Sequence, residues 1–232
     1  MEWIQRQGRL LGWTALALMV FGGYMGLVWS PPDVDQGNAM RILYMHVPTI
    51  WTAYLAFFLV LVASVLYLWK RDLKWDRLAG SAAELGVLLT ALTLAVGSVW
   101  AKPVWGVWWT WDPRLTTTAI LFVIYAGYLM LRTLAVDPVS RAKQSAVVGI
   151  IGFIDIPIVH MSVLWWRSLH QAPTILQPGL SNPPMDARME VALFVNVVAF
   201  TVLFVFLLGQ RLKLARLEQR RDEILWEEAR VV

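Results

Sequence analysis

Six long runs of apolar residues alternate with short polar segments along the chain. The runs cover residues 10–29, 47–69, 82–100, 116–132, 146–163 and 189–209. A helix needs about 20 mainly apolar residues to cross the hydrocarbon core of a bilayer, and each run has or approaches that length. The pattern therefore predicts an all-α, polytopic membrane protein with six transmembrane helices. No segment between the runs offers a separate soluble core, so we expect one six-helix membrane domain over residues 1–232.

The positive charges fall mainly into alternate segments between the runs. Fifteen of the 20 Lys and Arg residues lie in the N-terminal segment, the second and fourth loops and the C-terminal segment. The other loops carry five: Arg41, Lys102, Arg114, Arg167 and Arg188. Cytoplasmic segments are enriched in Lys and Arg. This bias predicts cytoplasmic termini, a charged cytoplasmic tail at about residues 210–232, and outer loops at residues 30–46, 101–115 and 164–188.

Composition supports the membrane assignment and limits the partners. The 232 residues are 58% hydrophobic and 16% charged, with a mean hydropathy of +0.58. The net charge of +4 is accounted for by the topology charges, so we expect membrane lipid and no nucleic acid as a partner. The chain has no cysteine, which excludes disulfides and thiolate metal sites. Pro31 and Pro32 follow the first run where a signal peptide would need small residues, so no cleavage is expected.

The middle outer loop contains the sequence "WGVWWTWDPRLT", with four tryptophans in seven residues. Pro103 is suited to open a short helix, and Pro113 limits its length. Such a helix would place three of the tryptophans and the aspartate on one face, with Trp111 elsewhere; the shared face carries Trp105, Trp108, Trp109 and Asp112. The segment is too short to cross a membrane, so we expect it to lie at the interface, within an outer loop of about residues 101–116.

Two interpretations of these tryptophans remain open. Tryptophan favours the membrane interface in general, and an aromatic belt, to which Trp29, Trp51 and Trp69 are assigned, is the simpler one. A belt needs only one or two rings at each helix end. The density of rings here favours a flat aromatic shelf for a large planar apolar ligand.

The three histidines, His46, His160 and His170, all lie on the predicted outer side. His46 stands where the first outer loop meets the second run, His170 lies in the third outer loop, and His160 lies near the outer end of the fifth run. Two imidazoles beside an aromatic shelf indicate axial ligation of a haem iron by His46 and His170, with a supporting role for His160. Zinc would require three or four ligands, with carboxylates or thiolates among them.

Charged residues near the shelf have candidate roles as well. Arginine pairs well with a carboxylate, so Arg41, Lys102, Arg114 and Arg167 are candidates for the haem propionates. The alternative is that they only keep the loops hydrated.

Three acidic residues need a separate explanation. Asp112 is predicted to cap the helix that follows, with Pro113 at its first position, and orienting an indole or pairing with Arg114 are alternatives. Asp155 and Glu84 lie within predicted spans and should be paired or protonated.

These segments resemble a known family. "WGVWWTWDPRLT" is similar to the tryptophan-rich WWD signature of haem-handling proteins in cytochrome c maturation, and the chain most resembles the CcmC family. "RILYMHVP" and "IPIVHMSVLWWRSLHQ" carry the resemblance into the first and third outer loops. It covers nearly the whole chain, and both the "DPRLT" ending and the short length favour CcmC over larger relatives. Asp155 departs from the family pattern, where an Asn is usual.

The resemblance implies a function that involves no catalysis. It implies haem (haem b) on the outer, periplasmic face of the bacterial inner membrane, against the tryptophan loop, with His46 and His170 as axial ligands. It also implies transfer of haem to the chaperone CcmE and association with CcmA, CcmB and CcmD. Two alternatives stay open: a transport subunit that moves haem or another substrate across the bilayer, and a structural subunit without a ligand.

Overall fold

The computed structural model describes residues 2–134, 137–170 and 185–231, excluding the side chains of residues 2–7, 222, 223 and 226–231. In the described residues the helices are α1 (Glu2–Tyr24), α2 (Leu43–Lys70), α3 (Leu73–Trp105), α4 (Pro113–Leu134), α5 (Pro138–Phe153), α6 (Asp155–Trp165) and α7 (Ala187–Val231). A π-helical turn, Met25–Trp29, extends α1, and a 3₁₀ turn, Asn38–Ile42, leads into α2.

Six helical stretches are long and apolar enough to cross a membrane. They are Gly8–Trp29, Asn38–Lys70, Leu73–Trp105, Pro113–Leu134, Pro138–Trp165 and Ala187–Arg221. The predicted all-α fold with six transmembrane helices is therefore confirmed. Part of the predicted third outer loop, residues 171–184, lies outside the described residues.

The third span begins earlier than the sequence predicted, at Leu73 instead of residue 82. Asp72 caps it by accepting a hydrogen bond from the backbone N–H of Lys74. Asp76 is almost fully buried. Burying a carboxylate without a partner of opposite charge is unfavourable. Both of its oxygens accept hydrogen bonds from Arg132 of α4, at 2.5 and 3.0 Å. The ion pair allows the charged first turns of α3 to pack inside the bundle.

The fifth span is two helices with a break at Ile154. Pro157 explains the break, because proline has no N–H to donate to the carbonyl four residues earlier and its ring collides with that carbonyl. That carbonyl belongs to Phe153, the last residue of α5. Asp155 begins α6 and is buried, and within the described residues its Oδ2 has no hydrogen-bond partner.

Small residues let α2 and α3 pack closely at the centre of the bundle. An added Cβ on Gly86 would lie 2.5 Å from the ring of Phe57, and Ala53, Ala82 and Ala83 are fully buried nearby. Phe57 in turn stacks on Tyr125 of α4, with ring centroids 3.7 Å apart. Close backbone approach through small residues is the usual way in which transmembrane helices associate.

Helix α7 packs against α1 and continues well beyond the bundle. Asn196 donates hydrogen bonds to the carbonyls of Gly22 and Ala192. Helix α7 has 45 residues, which correspond to a length of about 68 Å at 1.5 Å per residue. This length is more than twice the thickness of a hydrocarbon core. Arg211 forms a two-pronged ion pair with Glu84 of α3, so Glu84 is paired, as expected for an acid in a span.

The tryptophan segment differs from the short helix that the sequence suggested. Pro103 lies inside α3 and opens no new helix. The helix instead ends at Gly106, which takes a left-handed backbone (φ 78°), a conformation that glycine adopts without steric cost. The Lys102 ammonium donates to the Gly106 carbonyl at 2.9 Å. Residues 106–112 are irregular, so the predicted short helix is wrong, and the location of this segment at the membrane interface stays a prediction.

Candidate functional site

A cavity of about 630 Å³ lies at the end of the bundle where the predicted outer loops meet. This volume is in the range of small-molecule and cofactor sites. Helices α2, α3, α4 and α6 and the segment after α6 form its walls. All three histidines line it, together with tryptophans, a tyrosine and an arginine: His46, His160, His170, Trp51, Trp100, Trp105, Trp109, Tyr54 and Arg114. Residues far apart in sequence thus converge on one space whose wall combines aromatic, aliphatic and imidazole side chains.

His170 is held by a carboxylate behind it. Its Nδ1 lies 2.9 Å from Oδ1 of Asp112, and Trp105 packs edge-on against the ring, with centroids 4.8 Å apart. Burial lowers the pKa of His170 below its usual value, although the Asp112 charge opposes the shift. The imidazole is therefore neutral near pH 7, and Nε2 is the nitrogen left to bind a ligand.

The Asp112 carboxylate accepts four hydrogen bonds. Oδ1 accepts from the Arg114 backbone N–H and from His170, while Oδ2 accepts from the Ser168 hydroxyl at 2.8 Å and the Leu169 N–H at 2.7 Å. Burial raises the pKa of Asp112, but these donors and the nearby His170 outweigh burial and hold it below its usual value. Asp112 is thus an anion that caps α4, as predicted, and also binds the segment after α6, the predicted third outer loop.

His46 is held by packing and by a hydrogen-bond interaction with the backbone of Thr93. It lies in the first turns of α2, and Trp100 of α3 meets its ring edge-on, with centroids 5.6 Å apart. Gly97 of α3 leaves the space that the ring occupies, because a Cβ there would lie 2.9 Å from Cε1 of His46. Among the described residues, the buried Nδ1 of His46 has no hydrogen-bond partner.

Arg114 brings a positive charge to the cavity wall. Its guanidinium donates to the backbone carbonyl of His160 at 3.2 Å, a neutral acceptor. None of the ion pairs within the described ranges includes Arg114. Asp112 lies close enough to act on this charge, but it forms no direct ion pair with Arg114, so the wall offers a cation suited to a carboxylate on a ligand.

Other predicted site residues lie outside the cavity wall. Trp108 and Trp111 are 57% and 81% exposed, although the Trp111 ring packs edge-on against Trp109, with centroids 5.8 Å apart. Arg41 donates to the Ser30 carbonyl at 3.3 Å, and Arg167 is exposed in the segment after α6. Their predicted contacts with a ligand stay predictions.

Several wall residues were not identified from the sequence. Trp51, assigned to an aromatic belt, lines the cavity, as do Tyr54 and Trp100. The Trp100 indole donates to Gln36 of the predicted first outer loop at 3.0 Å. The sequence of α3 did contain an indication of this wall. Thr93, Gly97 and Trp100 recur at helical spacing and lie on the face that lines the cavity.

The donor set does not resemble a site for a bare metal ion. In the part of the chain that the structure describes, no group of three or more His or acidic side chains is placed to hold one. A ligand that brings its own in-plane donors to the iron needs only one or two histidines from the protein. The cavity therefore fits a metalloporphyrin better than zinc.

The family model of CcmC, described as heme exporter protein C, matches residues 1–227. The chain belongs to the CcmC family. Membership supports a role in haem handling for cytochrome c maturation, carried out by a multi-pass membrane protein.

Alignments with curated relatives from several lineages cover most of this chain. It is 36% identical over 221 residues to heme exporter protein C of Bradyrhizobium diazoefficiens, covering 94% of this chain and 80% of the relative. It is 34% identical over 192 residues to heme exporter protein C of Escherichia coli strain K12, covering 81% and 77%. A putative cytochrome c biosynthesis ccmC-like mitochondrial protein of Arabidopsis thaliana is 35% identical over 202 residues, covering 86% and 75%.

Proposed function

We propose that this protein binds haem in the cavity, presents it at the outer face of the bacterial inner membrane and transfers it to the chaperone CcmE. One observation carries the proposal. His46 and His170, which lie 124 residues apart in the chain, line the same aromatic cavity. The function requires binding and release and no bond-making chemistry by the protein itself.

Each part of a haem molecule has a suitable partner in the wall. His46 and His170 are the proposed axial ligands of the iron. Trp105 and Trp109 offer apolar surface for the porphyrin, and their indole rings need no charge partner. Arg114 is the proposed partner of a propionate, because it lines the cavity and forms none of the ion pairs within the described residues. Arg41 and Arg167 remain candidates on the adjoining loops.

The proposed ligands can be tested by absorption spectroscopy. We expect the wild-type protein, purified in lipid nanodiscs and loaded with haem b, to show the low-spin spectrum of bis-histidine ligation. His46→Ala and His170→Ala should each lose that spectrum and release haem faster. His160→Ala is the matched control, because it removes the third histidine of the same cavity, and it should keep the low-spin spectrum. Unchanged spectra in both ligand variants would exclude this pair.

Haem transfer needs a separate assay with the acceptor. Haem-loaded protein mixed with purified apo-CcmE should lose haem to CcmE, and the two ligand variants should load less of it. We also propose that the protein works in a membrane complex with CcmA, CcmB and CcmD. Co-purification of those subunits with the wild-type chain tests this complex.

Transport through the six helices has less support than binding at one end. A polar path needs groups that face an open route, but two of the strongly polar residues in the described spans are already bonded within the bundle. Glu84 is paired with Arg211, and Asn196 bonds to Gly22 and Ala192. Haem uptake into sealed vesicles containing only this protein would favour the transport alternative.

A further inference from the structure

Asp112 makes more hydrogen bonds than a helix cap requires. A capping side chain satisfies one or two N–H groups in the first turn of its own helix. Asp112 does so through the Arg114 N–H, yet its other three bonds go to Ser168, Leu169 and His170, beyond the end of α6. Its side chain is only 2% exposed. The carboxylate therefore joins the start of α4 to the loop that carries His170.

Asp137 shows what capping alone looks like in the same chain. It also precedes a proline and caps a helix, α5, by accepting from the Ser140 N–H at 2.7 Å. Asp137 is exposed, and its hydrogen bonds within the described residues go to the first turn of its own helix. The contacts of Asp112 with residues 168–170 thus need an explanation other than capping.

We propose that Asp112 is a positioning residue that orients His170 for iron binding. A carboxylate can only accept, so the hydrogen of the neutral imidazole lies on Nδ1 and the lone pair on Nε2. The ring lines the cavity, so this tautomer offers Nε2 to a ligand there. The inference rests on the proposed haem-binding function and adds a role for a residue that does not itself line the cavity.

The same geometry makes the two proposed iron ligands unequal. A carboxylate on the remote nitrogen of an imidazole fixes its orientation and makes it a stronger donor to a metal. His170 has that support, whereas His46 is held by Gly97, Trp100 and the backbone of Thr93 and has no carboxylate partner among the described residues. Of the two histidines, His46 would therefore be the weaker ligand of a haem iron and the first to be released.

The positioning role is tested with Asp112→Asn, which keeps the shape and an acceptor oxygen, and with Asp137→Asn as the matched cap control. Each full-length protein is loaded with haem b in nanodiscs, and haem loss to apomyoglobin and the reduction potential are measured. Asp112→Asn should lose haem about 10- to 100-fold faster, the usual effect of changing such a partner, with a more positive potential. Asp137→Asn should match the wild type in both.

A second background separates positioning from folding. In His170→Ala, adding Asp112→Asn should change the rate of haem loss by less than about twofold, because the residue that it orients is gone. Equal effects in both backgrounds, or an Asp112→Asn protein that behaves like Asp137→Asn, would overturn the positioning role. If His170→Ala itself has no effect, the proposed haem site fails instead, so the two failures are distinguishable.

The order of release is tested with carbon monoxide, which displaces the weaker axial ligand of reduced haem. The CO complex of the wild type should have the vibrational spectrum of the His46→Ala complex, in which His170 remains opposite CO. A match with the His170→Ala complex would show that His46 is the retained ligand and would contradict the proposed order.

Discussion

Gly97 sets the position of one proposed iron ligand through the absence of a side chain. Its Cα faces the His46 imidazole, and an added Cβ would lie 2.9 Å from Cε1 and 3.4 Å from Nδ1. Real Cβ atoms do not approach ring atoms this closely without displacing them. Any larger residue at this site must therefore move the imidazole toward the cavity or rotate it.

Replacing Gly97 by alanine is expected to affect haem binding and stability in opposite directions. Gly97→Ala should weaken haem binding, because it displaces His46, whereas the helix itself gains about 1 kcal/mol from replacing glycine by alanine. Gly127→Ala in α4 is the control, because an added Cβ there meets nothing within 4 Å. Haem titration and thermal unfolding of both variants provide the measurement. Equal haem affinity in the two variants would contradict the proposed role of this contact.

Asp112 shows which part of a residue's role can be predicted from the sequence and which part cannot. Capping of α4 was predictable, because Asp followed by Pro is a local signal for a helix start. Its bond to His170 was not, because it joins residues 58 positions apart through a loop whose path has no local rule. Orienting an indole was among the predicted alternatives, but the group that Asp112 orients is an imidazole.

Charge pairs decide where α3 can begin inside the bundle. Asp76 pairs with Arg132 of α4 and lies 3.7 Å from Arg141 of α5. Three helices thus meet at one carboxylate near the opposite end of the bundle from the cavity. Hydropathy alone places residues 73–81 outside the span, because the pairing that neutralises the charges becomes visible only in three dimensions.

Removing this charge should destabilise the bundle without altering the cavity. Asp76→Asn leaves two arginines without their counter-ion, and breaking a buried pair on one side costs about 3–5 kcal/mol. Asp72→Asn is the control, because Asp72 is an exposed cap and Asn caps a helix about as well as Asp. Denaturation in mixed micelles should show a large loss of stability for the first variant and little change for the second. Similar stability of both would argue against a structural role for the pair.

At the scale of the whole molecule, the arrangement of helices was predictable and the shape of the cavity was not. Six apolar runs and a resemblance over nearly the full chain gave the spans and the family. The predicted tryptophan shelf, in contrast, is divided: Trp105 and Trp109 line the cavity, whereas Trp108 and Trp111 are exposed. Helix α3 ends at Trp105, and Gly106 has a positive φ, so the helical spacing that would group the tryptophans does not continue along the segment.

Orientation in the membrane is a prediction that the lack of cysteine makes simple to test. Val34→Cys lies in the first predicted outer loop at a fully exposed site, and Lys74→Cys lies at the opposite end of the bundle. In intact cells a membrane-impermeant maleimide should label Val34→Cys, and Lys74→Cys only after permeabilisation. The excess of Lys and Arg on the Lys74 side is the physical reason. The reverse labelling pattern would place the cavity on the cytoplasmic face.

Helix α7 is unbroken from Ala187 to Val231, so the direction in which its C-terminal part faces is set by how its buried part packs. Its buried positions Met189, Asn196 and Phe204 continue in steps of about seven residues to Arg211, which binds Glu84, and Glu218, which binds Arg211. These residues therefore lie on one face of the helix, which runs from the cavity end of the bundle to the charged extension. Each residue turns a helix by about 100°, so a single inserted residue after Phe204 would swing Arg211 away from α3. The angular setting of the tail is fixed by the bundle, and a partner that meets the tail always meets the same face.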